Sequence, residues 1–168
     1  MRSSNLIANG SFGKVYKGLL ENKLVAIKKP INGSVRENEQ FANEVIIQSQ
    51  VIHKNIVRLI GCCPEVEAPL LVYEFISQGS LHDILHNNNN KVALNLDARL
   101  RIAAHSADGL AYMHSKANIK ILHGDVKPAN ILLDDTFAPK ISDFGISRLF
   151  ARDKEHTQSV IGDRRYMD

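Results

Sequence analysis

The chain is poor in cysteine, and its two thiols, Cys62 and Cys63, are neighbours that follow an apolar run. Adjacent cysteines rarely bridge each other, and no third cysteine or histidine pattern accompanies them, so a disulfide framework and a zinc site are both excluded. They read as two small buried apolar residues in a reduced compartment. No apolar stretch reaches the length of a membrane span, and the first residues lack the basic-then-apolar profile of a secretory leader. Basic residues are dispersed. The 21 Lys and Arg against 18 Asp and Glu leave a net charge of only +3, without the stripe that a nucleic-acid binder presents. No nucleic acid is expected as a partner. Low-complexity sequence is confined to Asn87-Asn88-Asn89-Asn90. What remains reads as a soluble, cytoplasmic globular piece, 44% hydrophobic and 23% charged, whose 168 residues suffice for one domain or part of a larger one.

Pattern reading gives a division of character along the chain. Val15-Tyr16-Lys17-Gly18-Leu19 and Leu24-Val25-Ala26-Ile27-Lys28 are short β-rich runs joined by the polar turn Glu21-Asn22-Lys23. Phe41, Val45, Ile47 and Val51 fall near helical spacing and predict a helix over residues 35–52. Strands are expected over residues 56–62 and 70–75. After Gly79 the periodicity turns helical: Ser80 with Asp83 is a capping signal for a short helix ending near His86, and Leu96, Leu100, Ala103, Ala107, Leu110, Ala111 and His114 mark one face of a longer one. Strands with a single helix followed by mostly helix predict an α+β architecture in two lobes, connected through residues 76–79.

Three segments carry chemistry. In Ile7-Ala8-Asn9-Gly10-Ser11-Phe12-Gly13-Lys14-Val15, two glycines in a strand–turn–strand let backbone N–H groups approach phosphate oxygens, although a plain Gly-rich turn has the same look. Lys28, closing Val25-Ala26-Ile27-Lys28, can neutralise phosphate charge if an acid such as Glu44 orients it; a solvated strand end and a surface acid are the plainer alternative. The deciding stretch is His123-Gly124-Asp125-Val126-Lys127-Pro128-Ala129-Asn130, then Ile131-Leu132-Leu133, then Asp143-Phe144-Gly145. A carboxylate to orient a hydroxyl, a cation for the transferring phosphate and oxygen ligands for magnesium are what phosphoryl transfer requires.

On these residues the chain resembles the eukaryotic protein kinases, and among them the plant receptor-like kinases, especially the wall-associated group. The closer likeness lies in Asn43-Glu44-Val45, in Ser49-Gln50, in the run from His53-Lys54-Asn55 through Gly61-Cys62-Cys63, in Leu70-Leu71-Val72-Tyr73-Glu74-Phe75 and in Lys140-Ile141-Ser142-Asp143. The resemblance implies a two-lobed kinase fold, with residues 1–76 as the small lobe and 77–168 as the first part of a large lobe whose remainder is missing. It implies ATP and Mg²⁺ as cofactors and protein substrates as partners, with a membrane-linked receptor context supplied by regions outside the chain. Lys28 would contact the α- and β-phosphates while paired with Glu44. Ile7, Gly10 and Gly13 would line the phosphate loop, Val15 and Ala26 would close over the adenine, and Leu132 would lie below it. Tyr73 would sit at the back of the pocket, and the backbone at Glu74 and Ile76 would hydrogen-bond the adenine edge. Asp125 would be the catalytic base, Lys127 would touch the γ-phosphate, and Asn130 and Asp143 would hold Mg²⁺. Lysine two places after Asp125 is the serine/threonine-kinase pattern.

The departures from that pattern are specific. Ala8 replaces the first glycine of the phosphate loop. Gly124 stands where many kinases have the arginine that anchors a phosphorylated activation loop, so phosphorylation at Thr157 or Ser159 is expected to be a weak switch. Gln48 occupies a position that the family usually gives to an apolar residue against Phe144, and must find a hydrogen-bond partner or cost stability. Asp163 replaces a threonine that normally bonds the catalytic aspartate and lysine. Two functions follow as alternatives: an active serine/threonine kinase, favoured by the intact polar set, or a pseudokinase acting as a nucleotide-binding or docking module. His82 and His86, one helical turn apart, resemble half a zinc-protease motif but read as surface histidines of a short helix. His123 reads as a packing and hydrogen-bonding residue beside Phe144.

Overall fold

Backbone sterics and apolar alternation account for the first part of the chain in the computed structural model, which describes residues 5–10, 13–31, 34–63, 69–86, 93–117 and 119–150. Strands β1 (Leu6–Gly10), β2 (Gly13–Leu20), β3 (Lys23–Lys29), β4 (Leu59–Cys63) and β5 (Leu70–Glu74) form one sheet in the order β1-β2-β3-β5-β4. Every pairing in it is antiparallel. The β2–β3 connection is a two-residue turn in which Glu21 and Asn22 have φ of 48° and 61°. Two successive left-handed residues match the twist of the strands they join.

Helix α1 (Val35–Ser49) starts where a reciprocal cap allows it. Ser34 Oγ accepts the Glu37 N–H at 3.3 Å, and Glu37 Oε2 accepts the Ser34 N–H at 2.9 Å. The helix ends at Ser49, short of the expected residue 52. Val51 kept the apolar period because it is buried, not because it is helical: it joins Ile47, Ile56, Met113, Ile121, Ile141 and Phe144 in one core cluster. The next strand likewise begins at Leu59 rather than at residue 56. Residues 55–57 dock instead on a later strand, with the Ile141 N–H donating to the Asn55 carbonyl at 2.8 Å and the Val57 N–H to the Ile141 carbonyl at 2.9 Å. The expectation of buried thiols fails, because Cys62 and Cys63 are both exposed. They end β4, which among the described residues is the edge strand of the sheet, with β5 beside it.

Beyond β5 the chain crosses to helices and short strands, giving the two-lobed α+β class expected from the sequence. The crossing is pinned by the Gln78 N–H on the Leu133 carbonyl (3.0 Å) and the Leu133 N–H on the Gly79 carbonyl (2.9 Å). Helix α2 (Leu81–His86) is capped by Ser80, whose Oγ accepts the Asp83 N–H at 3.1 Å. Helix α3 (Leu96–Ala111) is capped by Asn95 and widens into a π turn over Tyr112–Lys116, so the regular helix stops before His114. In that turn the Tyr112 ring stacks on His53, with centroids 4.9 Å apart. Two ribbons complete the structure: β6 (Lys120–Leu122) with β9 (Arg148–Phe150), and β7 (Ile131–Leu133) with β8 (Pro139–Ile141). Among the described residues no helix is long and apolar enough to cross a membrane.

Candidate active site

Lys28 lies near the end of β3, in register with Val15 on β2 and Leu71 on β5. Its Nζ donates to Glu44 Oε2 on α1 at 2.7 Å and to Asp143 Oδ1 at 2.9 Å. Glu44 is 2% exposed, far from the surface acid of the plainer alternative. Its other oxygen, Oε1, accepts the hydroxyl of Tyr73. Burial alone would lower the Lys28 pKa, but Glu44 and then Asp143 outweigh it and raise it. Burial would raise that of Asp143, yet the ammonium of Lys28 holds it below the usual range. Tyr73 is pushed well up, first by burial and then by the Glu44 carboxylate, and stays a neutral donor. One cation shared by two carboxylates is the arrangement in which buried charges are tolerated, since each is paired and hydrogen-bonded.

A second constellation forms on the loop between β6 and β7. Asp125 is 5% exposed. Its Oδ2 receives Lys127 Nζ at 2.8 Å and Asn130 Nδ2 at 2.9 Å, and the same amide nitrogen also reaches the Asp125 carbonyl. The Asp125 N–H donates to His123 Nδ1 at 3.2 Å. That ring nitrogen is therefore the unprotonated one, and Nε2 donates to the Ser142 carbonyl at 3.0 Å. Burial lowers the His123 pKa, in keeping with a neutral ring. Between them Gly124 turns the chain at φ 81°, a conformation that suits a residue without a side chain. Asp143 also has a left-handed backbone, φ 68°. Such a conformation costs about 1 kcal/mol in a non-glycine residue. Its neighbour Phe144 is fully buried, edge-on to His123 at 5.0 Å.

The predicted nucleotide residues lie on β1, β2, β3 and β5, on the segment after β5 and on β7. Ile7 and Gly10 are exposed on β1, and Gly10 is in register with Gly13 at the other side of the hairpin. Gly13 has φ 141°, and a Cβ there would stand 2.7 Å from the Lys29 carbonyl oxygen, so only glycine fits. Ala26 pairs with Tyr73 across the sheet. Ala26 and Leu132 pack on one cluster with Val57, Leu71, Tyr73 and Ile76. The nitrogen of Asn130 is committed to Asp125; its amide oxygen and the Asp143 carboxylate are hard oxygen donors of the kind that Mg²⁺ takes.

Several contacts were not legible beforehand. Glu74 Oε1 accepts both the Arg58 N–H and Lys140 Nζ, each at 2.9 Å, tying the crossing segment to β8. Lys17 Nζ stands 4.8 Å over the Phe75 ring. Asn43, singled out only as the neighbour of Glu44, reaches the turn after Asp143. Gln48 is 6% exposed, and neither Nε2 nor Oε1 has a hydrogen-bond partner among the described residues. His82 and His86 are exposed on α2 with ring centroids 4.8 Å apart. Thr157, Ser159 and Asp163 lie outside the described residues.

Comparison with known proteins agrees along the whole chain. The protein kinase domain family matches residues 1–168. Wall-associated receptor kinase 5 of Arabidopsis thaliana is 51% identical over 98% of the chain and 23% of its own length. Wall-associated receptor kinase 2 is 48% identical over the same shares, and putative wall-associated receptor kinase-like 16 is 48% identical over 98% of the chain and 39% of its own length, both also from Arabidopsis thaliana. The chain thus spans well under half the length of these curated relatives.

Proposed function

The chain belongs to the protein kinase family, and we propose that it is the ATP-binding and catalytic part of an active protein serine/threonine kinase. The observation that carries this reading is the pair of linked constellations: Lys28 held between Glu44 and Asp143, and Asp125 held by Lys127 and Asn130. Residues 1–76 serve as the small lobe and residues 77–168 as the start of the large one. The adenine sits between Val15 and Ala26 on one side and Leu132 on the other, with the backbone of Glu74 and Ile76 along its edge and Ile7, Gly10 and Gly13 over the phosphates.

Lys28, kept charged by its two carboxylate partners, holds the α- and β-phosphates. Asp125 orients the incoming hydroxyl and takes its proton, with its oxygen fixed by Asn130 and Lys127 before the substrate arrives. Lys127 turns toward the γ-phosphate as charge builds on it. Mg²⁺, when bound by Asn130 and Asp143, neutralises charge on the phosphates. Serine/threonine selectivity rests on Lys127 two places after Asp125. The relatives are named as receptor kinases, which supports a receptor-linked role; protein substrates and a place at the cytosolic face of a membrane belong to the same proposal.

The Gln48 amide, which has no hydrogen-bond partner among the described residues, favours one second reading, a pseudokinase that binds nucleotide and signals by docking. Both are separated by one experiment on the full-length protein. Phosphate transfer from labelled Mg·ATP is measured on the protein itself and on a generic basic protein, with Asp125→Asn alongside and phospho-amino-acid analysis of the product. Phosphoserine or phosphothreonine that disappears in Asp125→Asn is expected. A folded protein that binds Mg·ATP and transfers nothing makes the docking module the better account, and phosphotyrosine alone overturns the selectivity.

A further inference from the structure

Two routes leave α1 for the centre of the molecule, and only one of them ends at Asp143. Through Glu44 and Lys28 the helix reaches that aspartate. The other starts one residue earlier. Asn43 Nδ2 faces a tight turn closed by the Ser147 N–H on the Phe144 carbonyl at 3.0 Å. It lies 2.8 Å from the Ser147 carbonyl, 3.3 Å from that of Gly145 and 3.4 Å from that of Phe144. Carbonyls of one turn crowd their partial negative charge on one side, and a side-chain amide with two N–H donors is matched to it.

Ser147 carries the connection onward. It is 3% exposed, and its Oγ donates to the His123 carbonyl at 2.8 Å. The His123 ring then accepts the Asp125 N–H. From α1 to the second aspartate there is an unbroken line of hydrogen bonds: Asn43, Ser147, His123, Asp125. The strand that follows Ser147, β9, pairs with β6 directly before His123, so the same few residues also fix the backbone entering the loop. Residue 124 is glycine and brings no side chain of its own to hold the loop from the front.

We infer that Asn43 and Ser147 are positioning residues that tie the placement of Asp125 to the placement of α1, independently of the Lys28–Glu44 pair. The inference rests on the kinase reading for its catalytic consequence, but not for its structural one. When α1 moves away, Asn43 releases the turn, Ser147 loses its fixed carbonyl, and the His123 segment behind Asp125 loosens. Reacting groups displaced by a fraction of an ångström lose much of their rate. Turnover is therefore affected while nucleotide affinity is largely kept.

The test uses the full-length protein with Asn43→Ala, Asn43→Asp, Ser147→Ala and the Asn43→Ala/Ser147→Ala pair. Amide hydrogen exchange over residues 121–127 is followed together with kcat and the KM for Mg·ATP. Asn43→Ala, a change on α1, is expected to speed exchange of the loop amides about fivefold or more and to lower kcat by roughly 5–20-fold, with KM within about threefold. Asn43→Asp, which turns an acceptor toward three carbonyls, goes further. The double variant is no worse than the larger single one, because both act along one line. Loop exchange unchanged in Asn43→Ala, or single effects that multiply in the double variant, overturns the inference. If Ser147→Ala does not fold, the two Asn43 variants still decide it. If the parent protein transfers no phosphate, the kinase reading fails while the exchange data continue to judge this one.

Discussion

Replacing Gln48 by leucine removes a polar group from a place where no described residue bonds it. The side chain is 6% exposed, on the face of α1 that carries Glu44 one turn earlier, and both its amide atoms lack partners among the described residues. An unsatisfied buried donor or acceptor costs about 1–3 kcal/mol. Leucine has nearly the same bulk, so no cavity opens to offset the gain. A rise in stability of about 2 kcal/mol is the expected result, equivalent to roughly 4–8 °C in Tm for a domain of 150–250 residues. Urea unfolding of the full-length protein, followed by near-UV circular dichroism, reads it as a higher midpoint at constant slope. Gln48→Glu is the control and moves the other way, since it buries a charge beside Glu44. A loss of more than about 1 kcal/mol in Gln48→Leu refutes the reasoning, because it means that the amide is hydrogen-bonded and contributes to the fold.

Tyr73→Phe takes a donor from the buried Glu44 carboxylate and is expected to cost about 1.5–3 kcal/mol in unfolding experiments, the range for a hydrogen bond to a charged group. A change under about 0.5 kcal/mol contradicts the contact. Gly13→Ala is expected to lose more than about 2 kcal/mol and to raise the KM for Mg·ATP, because its Cβ meets a backbone oxygen at 2.7 Å in a strained conformation, whereas Gly10→Ala, whose Cβ comes no nearer than 3.9 Å to the described residues beyond its chain neighbours, is tolerated. Equal effects of the two refute the asymmetry. For pH, burial lowers the folded pKa of His123 below its ordinary 6.5. The unfolded chain then protonates first as pH falls, so this stability is present above about 6.5 and is lost on descending from there through the folded pKa. His114 shifts the same way, through burial and then Lys120. Thermal midpoints measured from pH 8 to pH 5 should fall, and a flat profile there argues against a neutral, buried His123.

How far the sequence alone carried the reading differs by the kind of signal. Motif residues separated by long stretches, such as Lys28, Glu44 and Asp143, were legible because phosphoryl transfer demands those chemical types in that order, and the fold brings both carboxylates within 3 Å of the Lys28 ammonium. Element ends were less legible. Val51 and Ile56 keep an apolar period because they are buried in a loop, and periodicity reports burial before it reports helix or strand. The exposure of Cys62 and Cys63 depends on β4 lying at the sheet edge, which is a property of topology and not of composition. Asn43, Ser147 and Lys140 were given no role of their own for a similar reason: each acts on a backbone carbonyl or carboxylate distant in sequence, and nothing in its own neighbours announces the partner.

The bond between Tyr73 and Glu44 has a practical side. It anchors a phenol ring at both ends, by the sheet through its backbone and by α1 through its hydroxyl, at the back of the space proposed for the adenine. On the proposed placement of the adenine, an ATP-competitive inhibitor whose extra bulk is meant for that space meets a wall rather than a vestibule. Exchanging the phenol for glycine or alanine opens the vestibule, and a bulky compound rejected by the parent then acts on the altered protein alone.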